Sequence, residues 1–118
     1  MFDALMEEIL AKAEELGRLI KNTGIYRNFQ RSYGMLQKDP DATALFKEYL
    51  RVSGMMKERQ DLGDTIEKYE VEQYKNLMDM ITADDLIMDY LNAQQEYLDL
   101  LVEIQNQIGE SGKDIISP

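Results

Sequence analysis

The chain has 118 residues, 44% hydrophobic and 31% charged, a globular composition with apolar mass for one modest core. Cysteine and histidine are both missing, which removes disulfides, the usual ligands of zinc and iron–sulfur centres, and the Ser–His and Cys–His catalytic couples. The net charge of −10 argues against a surface given over wholly to nucleic acid, because phosphate binding needs a positive field.

The first residues, Met1 to Glu8, meet acids at once and carry no basic region, so they do not read as a secretory signal. Apolar runs are only a few residues long, far below the ~18–20 that cross a bilayer. The expected address is cytoplasmic, with no membrane association. Prolines occur only at Pro40 and Pro118, and β-branched residues neither run nor alternate. Helical periodicity is what remains.

A first helix is expected from Asp3, a good N-cap, with Glu7 and Glu8 at the positive end of the dipole. Its apolar positions Leu5, Ile9, Ala13, Leu16 and Ile20 lie on one face. Asn22-Thr23-Gly24 interrupts the pattern with turn chemistry. A shorter helix follows, with Ile25, Phe29, Tyr33 and Leu36 on one side. At Lys38-Asp39-Pro40-Asp41, Asp39 caps and Pro40 takes the first helical position, where a missing N–H costs nothing.

The third stripe is Ala42, Leu45, Phe46, Tyr49, Val52 and Met56, with Leu62 a further candidate. Gly63-Asp64 is expected to end that helix and open the next, with Asp64 and Glu67 spaced as a capping box. Ile66, Tyr69 or Glu70, Tyr74, Leu77 and Ile81 form a weaker fourth stripe. Thr82-Ala83-Asp84-Asp85 caps a long last helix bearing Ile87, Tyr90, Leu91, Gln94, Leu98, Leu101, Ile104 or Gln105, and Ile108. From Gly109 the chain reads as a tail.

The fold expected is therefore all-α: about five antiparallel helices with short connections and a long C-terminal helix, completed by dimerisation. Residues 3–108 read as a single helical domain and 109–118 as a flexible tail. Magnitudes motivate the dimer. A last helix of about 26 residues is ~39 Å long, whereas a compact monomer of this length is only roughly 35 Å across. Eight apolar side chains on it gain at most about 12–24 kcal/mol, against ~1–2 kcal/mol per ordered residue.

Carboxylates are the abundant reactive groups. Asp85, Asp89, Glu96, Asp99 and Glu103 fall at helical spacing opposite the apolar stripe and read as a solvated face. Without histidine they do not fit an inward-facing di-metal bundle. Asp61, Asp64 and Glu67 lack calcium-loop spacing and read as cap chemistry. Neither a catalytic residue nor a metal or cofactor site is expected.

Charge is uneven along the chain. Residues 23–38 carry Arg27, Arg31 and Lys38 and no acid, while residues 82–118 carry eight acids against one lysine. Tyr26, Arg27, Phe29, Arg31 and Tyr33 interleave bases with aromatics, as single-strand RNA binders do. The favoured reading is that Phe29 and Tyr33 face the core while Arg27 and Arg31 are a solvated pair. Tyr26, Arg27 and Arg31 are then candidates for protein-partner binding. An RNA-binding module on segment 26–38 is the alternative, and three positive charges are few for it. Seven tyrosines and eight methionines supply adaptable contact chemistry, with most of the methionines expected to fill the core.

The order of motifs carries a resemblance. Leu16-Gly17-Arg18-Leu19-Ile20 precedes Thr23-Gly24-Ile25-Tyr26-Arg27-Asn28-Phe29. Then come Lys38-Asp39-Pro40-Asp41-Ala42, Leu45-Phe46-Lys47-Glu48-Tyr49, and a closing helix from Asp89-Tyr90-Leu91-Asn92 through Tyr97-Leu98-Asp99-Leu100-Leu101 to Ile104. Over roughly residues 5–108 this resembles the YlbF/YmcA family of small bacterial control-of-competence regulators. The resemblance implies a helical, self-associating, cytosolic, non-catalytic protein acting in a multi-protein regulatory complex. In that family such a complex modulates an endoribonuclease and messenger RNA maturation, with effects on competence, biofilm formation and sporulation. The cysteine-ligated iron–sulfur clusters associated with the family complex do not carry over to a chain without cysteine. The partners implied are further copies of the chain and other cytosolic proteins.

Overall fold

A computed structural model describes residues 3–116, with side chains described for residues 3–110. Among the described residues the chain forms five α-helices and no strand: α1 (Ala4–Lys21), α2 (Gly24–Gln37), α3 (Pro40–Asp61), α4 (Lys68–Thr82) and α5 (Asp85–Ile116). The all-α expectation holds.

Most boundaries arise from the side chains that the sequence places there. The Met6 N–H donates to Asp3 Oδ1 at 2.8 Å, satisfying one of the orphan donors at the start of α1. Thr23 joins two helices: its hydroxyl donates to the Ile20 carbonyl at 2.7 Å and accepts from the Tyr26 N–H at 3.1 Å. One side chain thus closes α1 and opens α2. Asp39 accepts from the Ala42 N–H at 3.0 Å, with Pro40 leading α3. Asp84 accepts from the Ile87 N–H at 3.0 Å at the head of α5. That helix continues to Ile116, past Ile108, the last position of its apolar stripe.

The connection between α3 and α4 departs from expectation. Gly63 adopts φ of 77°, the left-handed conformation that costs glycine little. Its N–H donates to the Gln60 carbonyl at 3.2 Å, and the Asp64 N–H donates to the Arg59 carbonyl at 2.8 Å. These are the two bonds of a Schellman closure. Residues 64–67 are not helical and α4 begins only at Lys68, so Asp64 stands too early to cap it. The capping box lies instead at Glu67 and Glu70, where the Glu70 carboxylate accepts from the Glu67 N–H at 3.2 Å.

Internal contacts group into two units: residues 32–92, and residues up to 31 together with those from 93 onward. In the first unit α3 packs on α4. Leu36, Ala42, Val52, Ile81, Ile87 and Tyr90 form its buried core, all of them stripe positions in the sequence. Val52, Ile81 and Ile87 are the largest fully buried side chains, worth about 1.5–3 kcal/mol each. Two polar residues are also inside. Ser32 is buried, and the Glu70 carboxylate, 3% exposed, pairs with the Arg59 guanidinium to tie α4 to α3. No buried side-chain nitrogen or oxygen among the described residues lacks a hydrogen-bond partner. At the fourth stripe Glu70 is inside and Tyr69 outside, and Leu62 is exposed.

The second unit is packed differently. Ala93 is its one buried apolar residue among those described, and α1 has no buried residue at all.

Candidate functional site

The residues singled out for partner binding lie on the first half of α2. Arg27 and Arg31 are one turn apart and both exposed. Arg31 Nη2 donates to Asn28 Oδ1 at 2.6 Å. Tyr26 is half-buried, its ring centroid 5.5 Å from that of Tyr97 on α5, and its hydroxyl accepts from Gln30 Nε2 at 3.1 Å. Phe29 lies nearly parallel to Tyr97, with centroids 4.9 Å apart and planes inclined by 7°. The structure therefore brings Tyr26, Arg27 and Arg31 onto one short segment and gives them different settings. The aromatic faces are engaged with Tyr97, while the guanidinium groups reach solvent. A stacked Phe29 offers less ring face to a nucleic-acid base than the interleaved pattern in the sequence suggested.

The larger exposed feature is apolar. At about 100° per residue, Leu5, Met6, Ile9, Ala13, Leu16 and Ile20 share about 100° of arc on α1. Leu5 is 70% and Ile9 62% exposed. On α5 the side chains of Leu98, Val102 and Ile108 are likewise exposed. Periodicity marked Leu5, Ile9, Ala13, Leu16 and Ile20 on α1 and Leu98 and Ile108 on α5 as inward-facing, but not Met6 or Val102.

The acids of α5 are on the solvent side. Asp85, Asp89, Glu96, Asp99 and Glu103 are all exposed, and Gln95 donates to Asp99 at 2.9 Å. No group of three or more carboxylates among the described residues is placed to hold a metal ion.

Within residues 32–92, aromatic rings form a connected series. Tyr33 and Tyr90 have centroids 5.5 Å apart, and Phe46 meets Tyr90 edge-on at 5.6 Å. Tyr49 lies 6.4 Å from Phe46 and 6.1 Å from Tyr74. Burial, with the neighbouring Tyr33 phenol adding, pushes the Tyr90 hydroxyl above its ordinary range. Tyr74 is raised first by its hydrogen bond with Tyr49. Glu48 is held below the usual carboxylate range chiefly by its hydrogen bonds from Arg51, at 3.0 and 2.6 Å. Sequence reasoning listed Tyr33, Phe46 and Tyr90 as separate stripe members. It missed Tyr97, although Tyr90, Ala93 and Tyr97 repeat at spacings of three and four, a second helical face legible in the sequence.

Taken together, these features define a small all-α protein whose helices expose long apolar stripes. No helix among the described residues is long and apolar enough to cross a membrane. The chain belongs to the family described as control of competence regulator ComK, YlbF/YmcA, whose pattern matches residues 9–111. A UPF0342 protein of Streptococcus uberis is 26% identical over 112 residues, 95% of this chain and all of the relative. A UPF0342 protein of Bacillus velezensis is 26% identical over 106 residues, 90% of this chain and 85% of that one. Among solved structures, a DUF964 protein of unknown function from Bacillus stearothermophilus superposes with a TM-score of 0.77 at 18% identity, covering 93% of this chain and 96% of that one. A chain from the crystal structure of Bacillus subtilis RicA in complex with RicF gives 0.73 at 17% identity, covering 98% and 100%. Both structural likenesses concern the fold.

Proposed function

We propose that this protein is a non-catalytic adaptor that self-associates and binds other proteins within a bacterial regulatory complex. The observation that carries the reading is α1. Ordering its 18 residues costs ~1–2 kcal/mol each, which burial of its apolar stripe must offset. No residue of its amphipathic stripe is fully buried in the single chain: Leu16 and Ile20 are half-buried, and Leu5 and Ile9 are exposed. A second copy covering Leu5, Ile9 and Leu16, and the exposed Leu98 and Val102 of α5, supplies the missing burial. Family membership supports a regulatory role, and the fold-level likeness to a chain crystallised as RicA with RicF supports heterologous partners beside the homo-oligomer. We extend the reading to a cytoplasmic complex that modulates ribonuclease-dependent messenger RNA processing, with Tyr26, Arg27 and Arg31 on a partner-facing segment.

Two measurements test it. Sedimentation equilibrium should show a dimer or larger species at tens of micromolar, shifting to monomer when Leu5 and Ile9 are both replaced by Asp. A wild-type monomer at that concentration sinks the self-association. A tagged pull-down from the native host, with and without ribonuclease, should return a ribonuclease-resistant RNA-processing partner. Loss of every partner on ribonuclease treatment would favour direct RNA binding instead.

A further inference from the structure

Between α2 and α3 lies a half-open cavity of about 500 Å³ that none of the above uses. That is within the roughly 300–1,000 Å³ of ordinary ligand pockets. Leu36 and Tyr90 supply buried wall, Phe46 adds a half-buried ring, and Tyr33 and Leu50 stand at the rim. The Thr43 hydroxyl donates to the Leu36 carbonyl at 2.9 Å, fixing the end of α2 to the start of α3.

The electrostatics are one-signed. Lys47 is the charged residue of the lining; it is exposed and makes no ion pair among the described residues. Its neighbour Glu48 remains a carboxylate but is paired with Arg51 through two hydrogen bonds. An apolar hollow with an unopposed ammonium at its lip suits an apolar group carried beside a carboxylate.

We propose that this cavity docks an acidic segment of a partner protein, which inserts an aromatic or leucine side chain and sets a carboxylate against Lys47. The inference rests on the adaptor reading and names the chemistry of its partner. Exposure at the rim favours a polypeptide over a small organic anion. Tyr33 is 47% and Leu50 52% exposed, and a molecule held within the hollow leaves both wet, whereas a polypeptide lying across it covers them. The lining includes none of Leu5, Ile9, Leu16, Leu98 and Val102, the side chains assigned to self-association, so an adaptor can use both sets.

The test is a nuclear magnetic resonance titration of the full-length ¹⁵N-labelled chain. The probe is a capped peptide with one tryptophan between two pairs of glutamates; a second probe has lysines in place of the glutamates. The glutamate peptide should shift the amides of Tyr33, Thr43, Phe46, Lys47 and Leu50 saturably. Lys47→Glu should weaken it roughly fivefold and transfer preference to the lysine peptide, because reversing one exposed charge turns attraction into repulsion. Shifts that miss these amides, or equal binding to both forms, overturn the proposal. So does movement of the same amides on concentrating the chain alone, which makes a second copy the occupant. Sedimentation of the same samples reports self-association separately, so failure here and failure of the adaptor reading are distinguishable.

Discussion

Residues 32–92 and the remainder of the chain use the same helical grammar to different ends. In the first, stripes from α2, α3, α4 and α5 supply side chains to one core, where Val52, Ile81 and Ile87 are sealed from solvent. In the second, α1 carries an equally regular stripe, with Leu5 and Ile9 standing in water. The difference is not composition. Leu5 and Ile9 are as apolar as Ile81 and Ile87, and the Asp3 cap is as well formed as those at Asp39 and Asp84. What differs is whether another element of the same chain supplies a facing surface. A stripe with an internal partner stabilises a fold; a stripe without one is free to specify an assembly.

A pair of truncations tests that contrast at its strongest point. Ile87→Ala removes a fully buried side chain and should cost about 3 kcal/mol or more, since the cavity term adds to lost transfer energy. Ile9→Ala, measured below the concentration at which the chain associates, should stay within about 0.5 kcal/mol of the parent. Urea denaturation at low micromolar protein reads both. Equal losses at the two sites would mean that Ile9 is covered within the single chain, and the contrast fails. At higher concentration the Ile9 variant should lose the concentration dependence of its melting temperature, because association stabilises the folded form by mass action.

These outcomes bear on what was legible in the sequence. Five helices and most caps were legible because Asp3, Thr23, Asp39 and Asp84 act on donors three residues away, within the range of a motif. Leu36, Ala42, Val52, Ile81 and Ile87 were legible because periodicity reports the inward face. The start of α4 was not: Asp64 looks like a cap, but the closure at the left-handed Gly63 is followed by a non-helical stretch to Glu67, which is the residue that caps. Nor was the choice of Glu70 over Tyr69 as the buried residue, since it depends on Arg59 arriving from another helix. The cavity beside Lys47 also escaped. It is assembled from residues of α2, α3 and α5 far apart in the chain, and no local spacing encodes an empty space.

The Arg59–Glu70 pair sharpens the comparison, because it is a polar fastening in the packed unit. Glu70 is buried, and the Arg59 side chain remains 37% exposed, so solvent screens part of the attraction. Glu70→Gln keeps the shape and an acceptor for the Glu67 N–H but loses the charge. It should cost about 1–2 kcal/mol by urea denaturation. A double-mutant cycle with Arg59→Met should return a coupling above about 0.5 kcal/mol. A smaller coupling would assign the α3–α4 connection to the backbone closure at Gly63 instead.

The smallest effect is expected at high pH and again concerns the packed unit alone. Burial raises the Tyr90 hydroxyl above its ordinary value near 10, with the Tyr33 phenol adding to the shift. The folded chain therefore holds that proton more tightly than the unfolded chain does. Tyr90 contributes its full stability below the ordinary tyrosine value and loses it as pH climbs through the raised one. Tyr90→Phe should change stability at neutral pH by less than about 1 kcal/mol, the buried ring being retained. The alkaline limb of its stability profile should move to higher pH. Denaturation midpoints collected from neutral pH to pH ~11 decide the point. An unmoved alkaline limb would shift the cause to the Tyr49–Tyr74 pair, whose hydrogen bond raises Tyr74 in the same direction. Both raised phenols lie in residues 32–92, Tyr90 through burial and Tyr74 first through its hydrogen bond with Tyr49.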